Sequence, residues 1–209
     1  MKAYRLLIFI IFIFLSGYIY SQRFGGGADA GITFSQIDGD KLSGYNKLGF
    51  SGGFFVNTKI NNSLVGQLEI KYIEKGASTH FQITNPVISV ITLKYIEFPF
   101  IIRYKFDFHQ KYKRYSIMAG PYLGVLFAET GRDESGRVDP QNLLQYHKLD
   151  FGGIIGAQYK ITEKLNFDFR YSYSLIRTYK IPGGSPGGPW YFRGHYNNVI
   201  NFSLYFQIV

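Results

Sequence analysis

The chain has 209 residues, enough for one domain, and its lack of cysteine excludes a disulfide framework and thiol chemistry. Its formal net charge is +9, but the basic residues are dispersed along the chain rather than gathered on one element. Nucleic-acid binding is therefore not expected, and attraction to anionic lipid headgroups explains the charge at least as well.

The first residues have the pattern of a secretory signal peptide. Lys2 and Arg5 precede an apolar run, residues 6–15, and a small residue precedes the expected cleavage site. The run is shorter than the roughly 20 residues of a membrane-spanning helix, so we expect cleavage rather than a retained anchor. The prediction is a signal peptide over 1–21 and one folded domain over 22–209. Losing Lys2 and Arg5 would lower the net charge from +9 to +7.

Segments that alternate apolar and polar side chains follow one another through the rest of the chain. This period of two is typical of β-strands with one apolar face. We predict eight strands, over residues 28–37, 47–60, 63–75, 93–106, 115–127, 148–161, 165–175 and 197–209. Short connections such as 61–62 and 162–164 alternate with longer polar ones, including 128–146. Outer-membrane barrels have even strand numbers, short periplasmic turns and longer external loops.

The segment 93–106 shows the two faces most clearly. One face carries Ile96, Phe98, Phe100, Ile102, Tyr104 and Phe106. The other carries Leu93, Tyr95, Glu97, Pro99, Ile101, Arg103 and Lys105. An unpaired charge in hydrocarbon is very costly, so Glu97 and Arg103 place the second face away from lipid. Because opposed residues share a face, we expect Pro99 to oppose Gly120 or Tyr122, and never Pro121 unless a bulge intervenes.

The polar face is predicted to line the inside of a barrel. The interior of an eight-stranded barrel is only just wide enough for side chains to fill it, and the apolar faces hold too many large residues to fit there. The glycines also fall mainly on the polar face, where they leave room. The predicted fold is an all-β, eight-stranded antiparallel up-and-down transmembrane β-barrel of the outer membrane, with short periplasmic turns, longer extracellular loops and both termini periplasmic. A soluble, ligand-carrying barrel is the alternative.

Charged side chains on the polar face should therefore lie in the lumen. They are Glu69, Lys71, Glu97, Arg103, Asp150, Asp168 and Arg170. We interpret them as a structural network that fills the barrel, so general diffusion is not expected; a proton or ion pathway is the alternative. Counting residues from the short turns places Lys71 at the same height in the barrel as Glu97. We therefore predict an ion pair between Glu97 and Lys71, with Arg170 as a second possible partner of Glu97.

A catalytic role would require other groups. An enzyme that modifies membrane lipids needs a His or carboxylate with a nucleophile near one rim. Of His80, His109, His147 and His195, the best candidate is His147, because Asp150 is close in sequence, but their odd separation puts them on opposite strand faces. We therefore expect four solvated loop histidines, no enzyme activity, no cofactor and no metal site.

The segment 182–196 combines Gly and Pro with large side chains. It contains Trp190, Tyr191, Phe192 and Arg193, residue types that are enriched at binding hot spots. This composition predicts a partner-contact loop, and an aromatic belt at the membrane surface is the alternative.

Four motifs connect the chain to a known family. They are YIEFP (95–99), GPYLG (120–124), LDFGGIIGAQY (149–159) and LNFDFRYSYSL (165–175). With these motifs the chain resembles the PorT-like family of small outer-membrane β-barrels over nearly its whole mature length. The resemblance implies an eight-stranded barrel, and one branch of that family is tied to type IX protein secretion; it supplies no catalytic residues. One departure is the C-terminus, which ends in Ile208 and Val209, whereas many outer-membrane barrels end in an aromatic residue.

Fold and resemblance together predict a structural or accessory subunit of an outer-membrane assembly, for protein export or barrel insertion. Its expected partners are outer-membrane lipid and other outer-membrane or periplasmic proteins. The alternatives are a lipid-modifying enzyme and a small ligand-binding or adhesive barrel.

Overall fold

The computed structural model describes residues 24–40, 42, 44–79, 89–106, 114–132, 146–180 and 194–208. The expected signal peptide, residues 1–21, lies outside this part of the chain. The strands are β1 (Phe24–Asp38), β2 (Lys47–Lys59), β3 (Leu64–Ser78), β4 (Val90–Phe106), β5 (Tyr115–Arg132), β6 (Leu149–Lys160), β7 (Leu165–Ser174), β8 (Tyr179–Lys180) and β9 (Gly194–Gln207). In the described residues, no helix has the length and apolar character needed to cross a membrane.

Eight long strands close into a barrel. Strands β1 to β7 pair antiparallel in chain order, β7 pairs with β9, and β9 pairs with β1. The two-residue strand β8 extends the sheet beyond β9, where Tyr179 lies opposite His195. The predicted eight-stranded antiparallel barrel is confirmed. We call the end with the β2–β3 and β6–β7 connections the turn end, and the opposite end the loop end.

The assignment of the two strand faces is also confirmed. In β4, Phe98 and Phe100 are 44% and 47% exposed, whereas Glu97 and Ile101 are 1% and 0% exposed. The same alternation of exposed apolar and buried polar side chains runs through the other long strands. The lumen is therefore polar, and the large apolar side chains form the outer surface.

Several strands extend beyond their predicted ends. Residues 128–132, expected in a loop because of their charge and glycine content, continue β5 and pair with residues 90–94 of β4. The glycine-rich entry Gly25 to Gly27 belongs to β1 and pairs with β2. In these places the ladder hydrogen bonds of a neighbouring strand outweigh the turn preference of the residues.

The two described short turns use the same local chemistry. The Asn61 side-chain oxygen accepts hydrogen bonds from the backbone N–H groups of Ser63 and Leu64, at 2.8 Å each. At the other turn, Thr162 Oγ1 accepts from the N–H groups of Lys164 and Leu165 at 3.2 and 3.0 Å. Asn and Thr are suited to this because their short polar side chains can replace a backbone acceptor.

The register between β4 and β5 places the two prolines apart. Pro99 lies opposite Tyr122, as expected, and Pro121 lies opposite Gly153 of β6. The register shifts by one residue between Lys94 and Tyr95, which marks a β-bulge near the loop end.

Gly120 of β5 lies very close to the backbone of β4. A Cβ atom added there would lie 1.8 Å from the backbone carbonyl oxygen of Phe100. Gly153, one strand away, faces outward, and a Cβ atom there would meet no heavy atom within 4 Å. Only one of these two glycines is therefore required by packing.

We expect Gly120→Ala to lower the stability of the barrel by about 1–3 kcal/mol, because the added methyl group must push two backbones apart. Gly153→Ala is the matched control and should cost nothing measurable. Urea unfolding in detergent micelles, followed by heat-modifiable migration on gels, compares the two. Equal losses in both variants would contradict the close-packing explanation.

Candidate functional site

The seven predicted lumen charges are all buried inside the barrel. They separate into two groups along the barrel axis. The loop-side cluster comprises Lys75, Glu97 and Asp150, and the turn-side cluster comprises Asp29, Glu69, Lys71, Arg103, Asp168 and Arg170. Lys75 and Asp29 are additions to the predicted set.

The loop-side cluster is built around the Lys75 ammonium group. Its Nζ atom lies 2.5 Å from Glu97 Oε1 and 2.9 Å from Asp150 Oδ2. The same atom lies 5.0 and 4.3 Å from the ring centroids of Tyr95 and Tyr122. Two carboxylates and two aromatic faces thus replace the water that this cation would otherwise bind.

Asp150 is the acceptor that joins this cluster to the far wall of the barrel. Its Oδ1 accepts a hydrogen bond from Ser174 Oγ at 2.7 Å, and its Oδ2 accepts from Asn197 Nδ2 at 2.9 Å. The Tyr122 hydroxyl donates to Oδ2 at 3.3 Å. Side chains of β3, β5, β7 and β9 therefore meet at one carboxylate of β6.

The turn-side cluster is centred on Glu69 and Arg170. The Arg170 guanidinium donates to both Glu69 oxygens at 2.9 Å and to Asp168 Oδ2 at 2.9 Å. Lys71 Nζ lies 3.0 Å from Asp29 Oδ2, and the Tyr205 hydroxyl donates to Glu69 Oε2 at 3.0 Å. Strands β1, β3, β7 and β9 are joined in this way.

Arg103 is connected to the same carboxylates through two glutamines. Its Nη1 donates to Gln158 Oε1 at 2.7 Å and its Nη2 donates to Gln67 Oε1 at 2.5 Å. Gln158 Nε2 donates to Asp168 Oδ1 at 2.6 Å, and Gln67 Nε2 donates to Glu69 Oε1. With Arg103 included, three cations and three carboxylates make the turn-side cluster neutral.

The predicted partner of Glu97 was wrong. Lys71 lies opposite Glu97 in the β3–β4 ladder, but its amine contacts Asp29 and Glu69 instead. Glu97 contacts Lys75, and Arg170 contacts Glu69 and Asp168. The period of two identifies Lys75, since this residue ends the predicted strand 63–75 on the same face as Glu69 and Lys71.

The described histidines do not behave alike. His195 is buried, and its Nδ1 lies 3.0 Å from Tyr146 Oη. Its ring centroid lies 4.9 Å from that of Tyr179. The prediction that His195 is a solvated loop residue is therefore wrong. His147 is exposed, while Asp150 is buried against Lys75, so the two do not form a pair. His80 and His109 lie outside the described residues.

The loop end holds ionisable groups that the sequence did not single out. Burial raises the pKa of Asp40 to about 7. The negative charge of nearby Asp38 also raises this pKa, and the hydrogen bond from the Leu42 N–H lowers it by a smaller amount than burial raises it. Burial also raises the pKa of the Tyr146 hydroxyl. Asp40 is therefore a carboxyl group that changes its charge near neutral pH.

Two other expectations concern sites for partners and metals. The predicted partner-contact residues Trp190, Tyr191, Phe192 and Arg193 lie outside the described residues. Within the described ranges, no group of three or more His, Cys, Asp or Glu side chains is arranged to hold a metal ion.

Comparison with solved structures finds barrels of similar architecture. Neisserial surface protein A matches with a TM-score of 0.51 and 15% identity over 90% of this chain and 99% of its own. Ail of Yersinia pestis matches with 0.47 and 11% over 89% and 99%, and OprG of Pseudomonas aeruginosa with 0.40 and 10% over 88% and 91%. At these identities the similarity concerns the fold.

Sequence comparison gives a family. No curated protein sequence matches the chain. Residues 20–180 match the family described as the outer membrane protein beta-barrel domain, which is more than half of the chain. The chain belongs to this family, and it is an outer-membrane β-barrel protein.

Proposed function

We propose that the protein is a structural or accessory subunit of an outer-membrane assembly that acts through the ends of its barrel rather than by transport through the lumen. The observation that carries this proposal is the filling of the lumen by two buried ion-pair clusters. Lys75 and Asp150 are fully buried, and Glu69 and Arg170 are nearly so.

The energetics of these clusters favour a permanently filled lumen. A path for solutes would have to pass both clusters, so it would require Lys75 to leave Glu97 and Asp150 and also Arg170 to leave Glu69. Breaking one member out of a buried ion pair typically costs roughly 3–5 kcal/mol, because the other charge is left without a partner. A barrel of eight strands has no spare width into which these side chains can move.

The kind of assembly is suggested by the resemblance to the PorT-like family. Its motifs at 95–99 and 149–159 lie on β4 and β6, and each contributes a carboxylate to the loop-side cluster. We propose protein export of the type IX kind, or barrel insertion, as the process served. We assign no catalytic residue and no cofactor, and outer-membrane lipid and periplasmic or outer-membrane proteins are the proposed partners.

We further propose that the turn end and both termini face the periplasm, after removal of residues 1–21 as a signal peptide. Protease added to intact cells should then cut within 128–146 or 182–196 and spare the turns at Asn61 and Thr162. Permeabilised cells provide the control, because both ends become accessible there. Cleavage of intact cells at the short turns alone would mean that the orientation is inverted.

Contacts at the barrel ends can be tested by site-specific photo-crosslinking in cells. A photoreactive residue at Glu163, on the turn end, or at His147, on the loop end, should crosslink to defined outer-membrane or periplasmic proteins. The control is Ile155, which is 60% exposed on the outer wall and should crosslink only to lipid. The purified protein should also show no stepwise conductance in planar bilayers. Discrete conductance steps, with no protein crosslinks from either end, would contradict the proposal.

A structural role for the loop-side cluster predicts a specific energetic coupling. Glu97→Gln and Lys75→Met should each destabilise the barrel by roughly 3–5 kcal/mol in urea titrations in micelles. Their double variant should lose clearly less than the sum, because the two groups share one interaction. Lys71→Met, whose amine contacts Asp29, is the control and should combine with Glu97→Gln more nearly additively. Additivity for Glu97 and Lys75 would rule out the pairing as a stabilising contact.

A further inference from the structure

The turn end of the barrel opens into a vestibule of about 1070 Å³. Each of the eight barrel strands contributes at least one residue to its wall, and residues of both described short turns form its rim. Its floor lies at Arg103 and Gln158, which connect directly to the turn-side cluster. The vestibule is therefore the open mouth of the lumen, closed on the inside by the ion-pair network.

Positive charge dominates this vestibule. The cations that line it are Lys59, Arg103, Lys105, Arg114 and Lys160. Among the described lining residues the single acidic side chain is Glu163, whose carboxylate lies 2.6 Å from Lys160 Nζ. Because Arg103 is already balanced within the turn-side cluster, the other four positive charges and one negative charge leave an excess of +3 around one cavity.

The lysines of the wall belong to the vestibule by register and not to the lipid-facing surface. Lys59 pairs with buried Val65, Lys105 with buried Ser116, and Lys160 with Asn166. Opposed residues share a face of the sheet, so these three lysines project toward the lumen side. Attraction to headgroups around the outside of the barrel does not explain that placement.

Arg103 provides a second, independent observation. It is 5% exposed, and its Nη atoms are bound to two neutral amide oxygens rather than to a carboxylate. Its Nε atom is buried and has no hydrogen-bond acceptor among the described residues. A buried guanidinium with an unused donor at the floor of a basic cavity is a group that an anion can satisfy.

We propose that the vestibule is a binding site for an anion that carries two or more phosphate groups. Guanidinium groups match the geometry of phosphate oxygens, and the lysines supply further charge around them. The cavity is of the size of a small-molecule site and much larger than one phosphate ion needs. Both a free compound with several phosphate groups and a lipid headgroup with two phosphate groups present this chemistry. The site depends on the fold alone, so it does not require the proposed subunit role or the proposed orientation.

The experiment measures binding of sodium tripolyphosphate to the full-length mature barrel in non-ionic maltoside micelles by titration calorimetry. The double variant Lys59→Gln with Lys105→Gln should weaken binding at least about tenfold. Lys94→Gln with Lys148→Gln removes the same charge near the loop end and should change the affinity less than about twofold. Glu163→Gln removes the acid beside Lys160 and should strengthen binding. Heat-modifiable migration confirms that each variant is folded.

The source of the phosphate is distinguished by native mass spectrometry after addition of cardiolipin, whose headgroup carries two phosphate groups. Lipid that remains bound to the wild type, is lost from the vestibule double variant and is displaced by tripolyphosphate identifies a headgroup site. Tripolyphosphate binding without retained lipid identifies a free phosphorylated ligand. Equal affinities in the two double variants, or no binding by the wild type, would overturn the proposal. So would displacement of tripolyphosphate by an acidic peptide at lower concentration, which would assign the vestibule to a protein segment.

Discussion

The structure depends on one constraint: charges inside a barrel too narrow for bulk water must neutralise one another. The ion pairs around Lys75 are an example. The ammonium group of Lys75 has two carboxylates within 2.9 Å, and Asp150 also accepts from Ser174 and Asn197. Two of these contacts, Lys75 with Asp150 and Asn197 with Asp150, join strands that are not neighbours in the sheet. The network therefore fixes the register across the barrel, because a slip of one residue would turn a charge outward to lipid.

This arrangement reverses the usual distribution of side chains in a soluble protein, where apolar residues are buried and polar residues are exposed. Most of the large apolar side chains are exposed, and most of the buried side chains carry charged, amide or hydroxyl groups. Hydrogen bonding and ion pairing inside the barrel must then provide the specificity that a close-packed apolar core provides elsewhere. Small residues make this possible, as at Gly120, where two backbones approach too closely for any side chain. Two apolar clusters, around Leu93 and Tyr95 and around Ile101 and Met118, are also buried.

Much of this architecture can be predicted from the sequence, because a strand has only two faces and one charge decides which of them avoids lipid. Glu97 and Arg103 settled the facing of β4, and the register opposite Tyr122 followed. The length of each hairpin could not be predicted from the facing of the strands. Residues 128–132 have residue types that are common in loops, yet they form a strand because they pair with β4.

The predicted ion-pair partner of Glu97 was wrong for a different reason. The ladder fixes which Cα atoms lie opposite each other, but a lysine side chain is long enough to reach past the opposite residue. Lys71 therefore forms an ion pair with Asp29, and Lys75 forms one with Glu97. His195 was misjudged because its burial comes from Tyr146 and Tyr179, which are remote in sequence.

The pairing of the first strand with the last has a consequence for how the chain is made. Asn201 donates to the carbonyl oxygen of Ile32 across 169 residues, and residues 198–206 of β9 pair with β1 on one side and β7 on the other. Until β9 has been synthesised, β1 has an open edge and the apolar outer faces have no lipid around them. Pairing over such sequence distances is slow, and open edges invite association between chains. An incomplete chain cannot reach the native state, so it must be kept apart from other chains until the last strand arrives at the membrane.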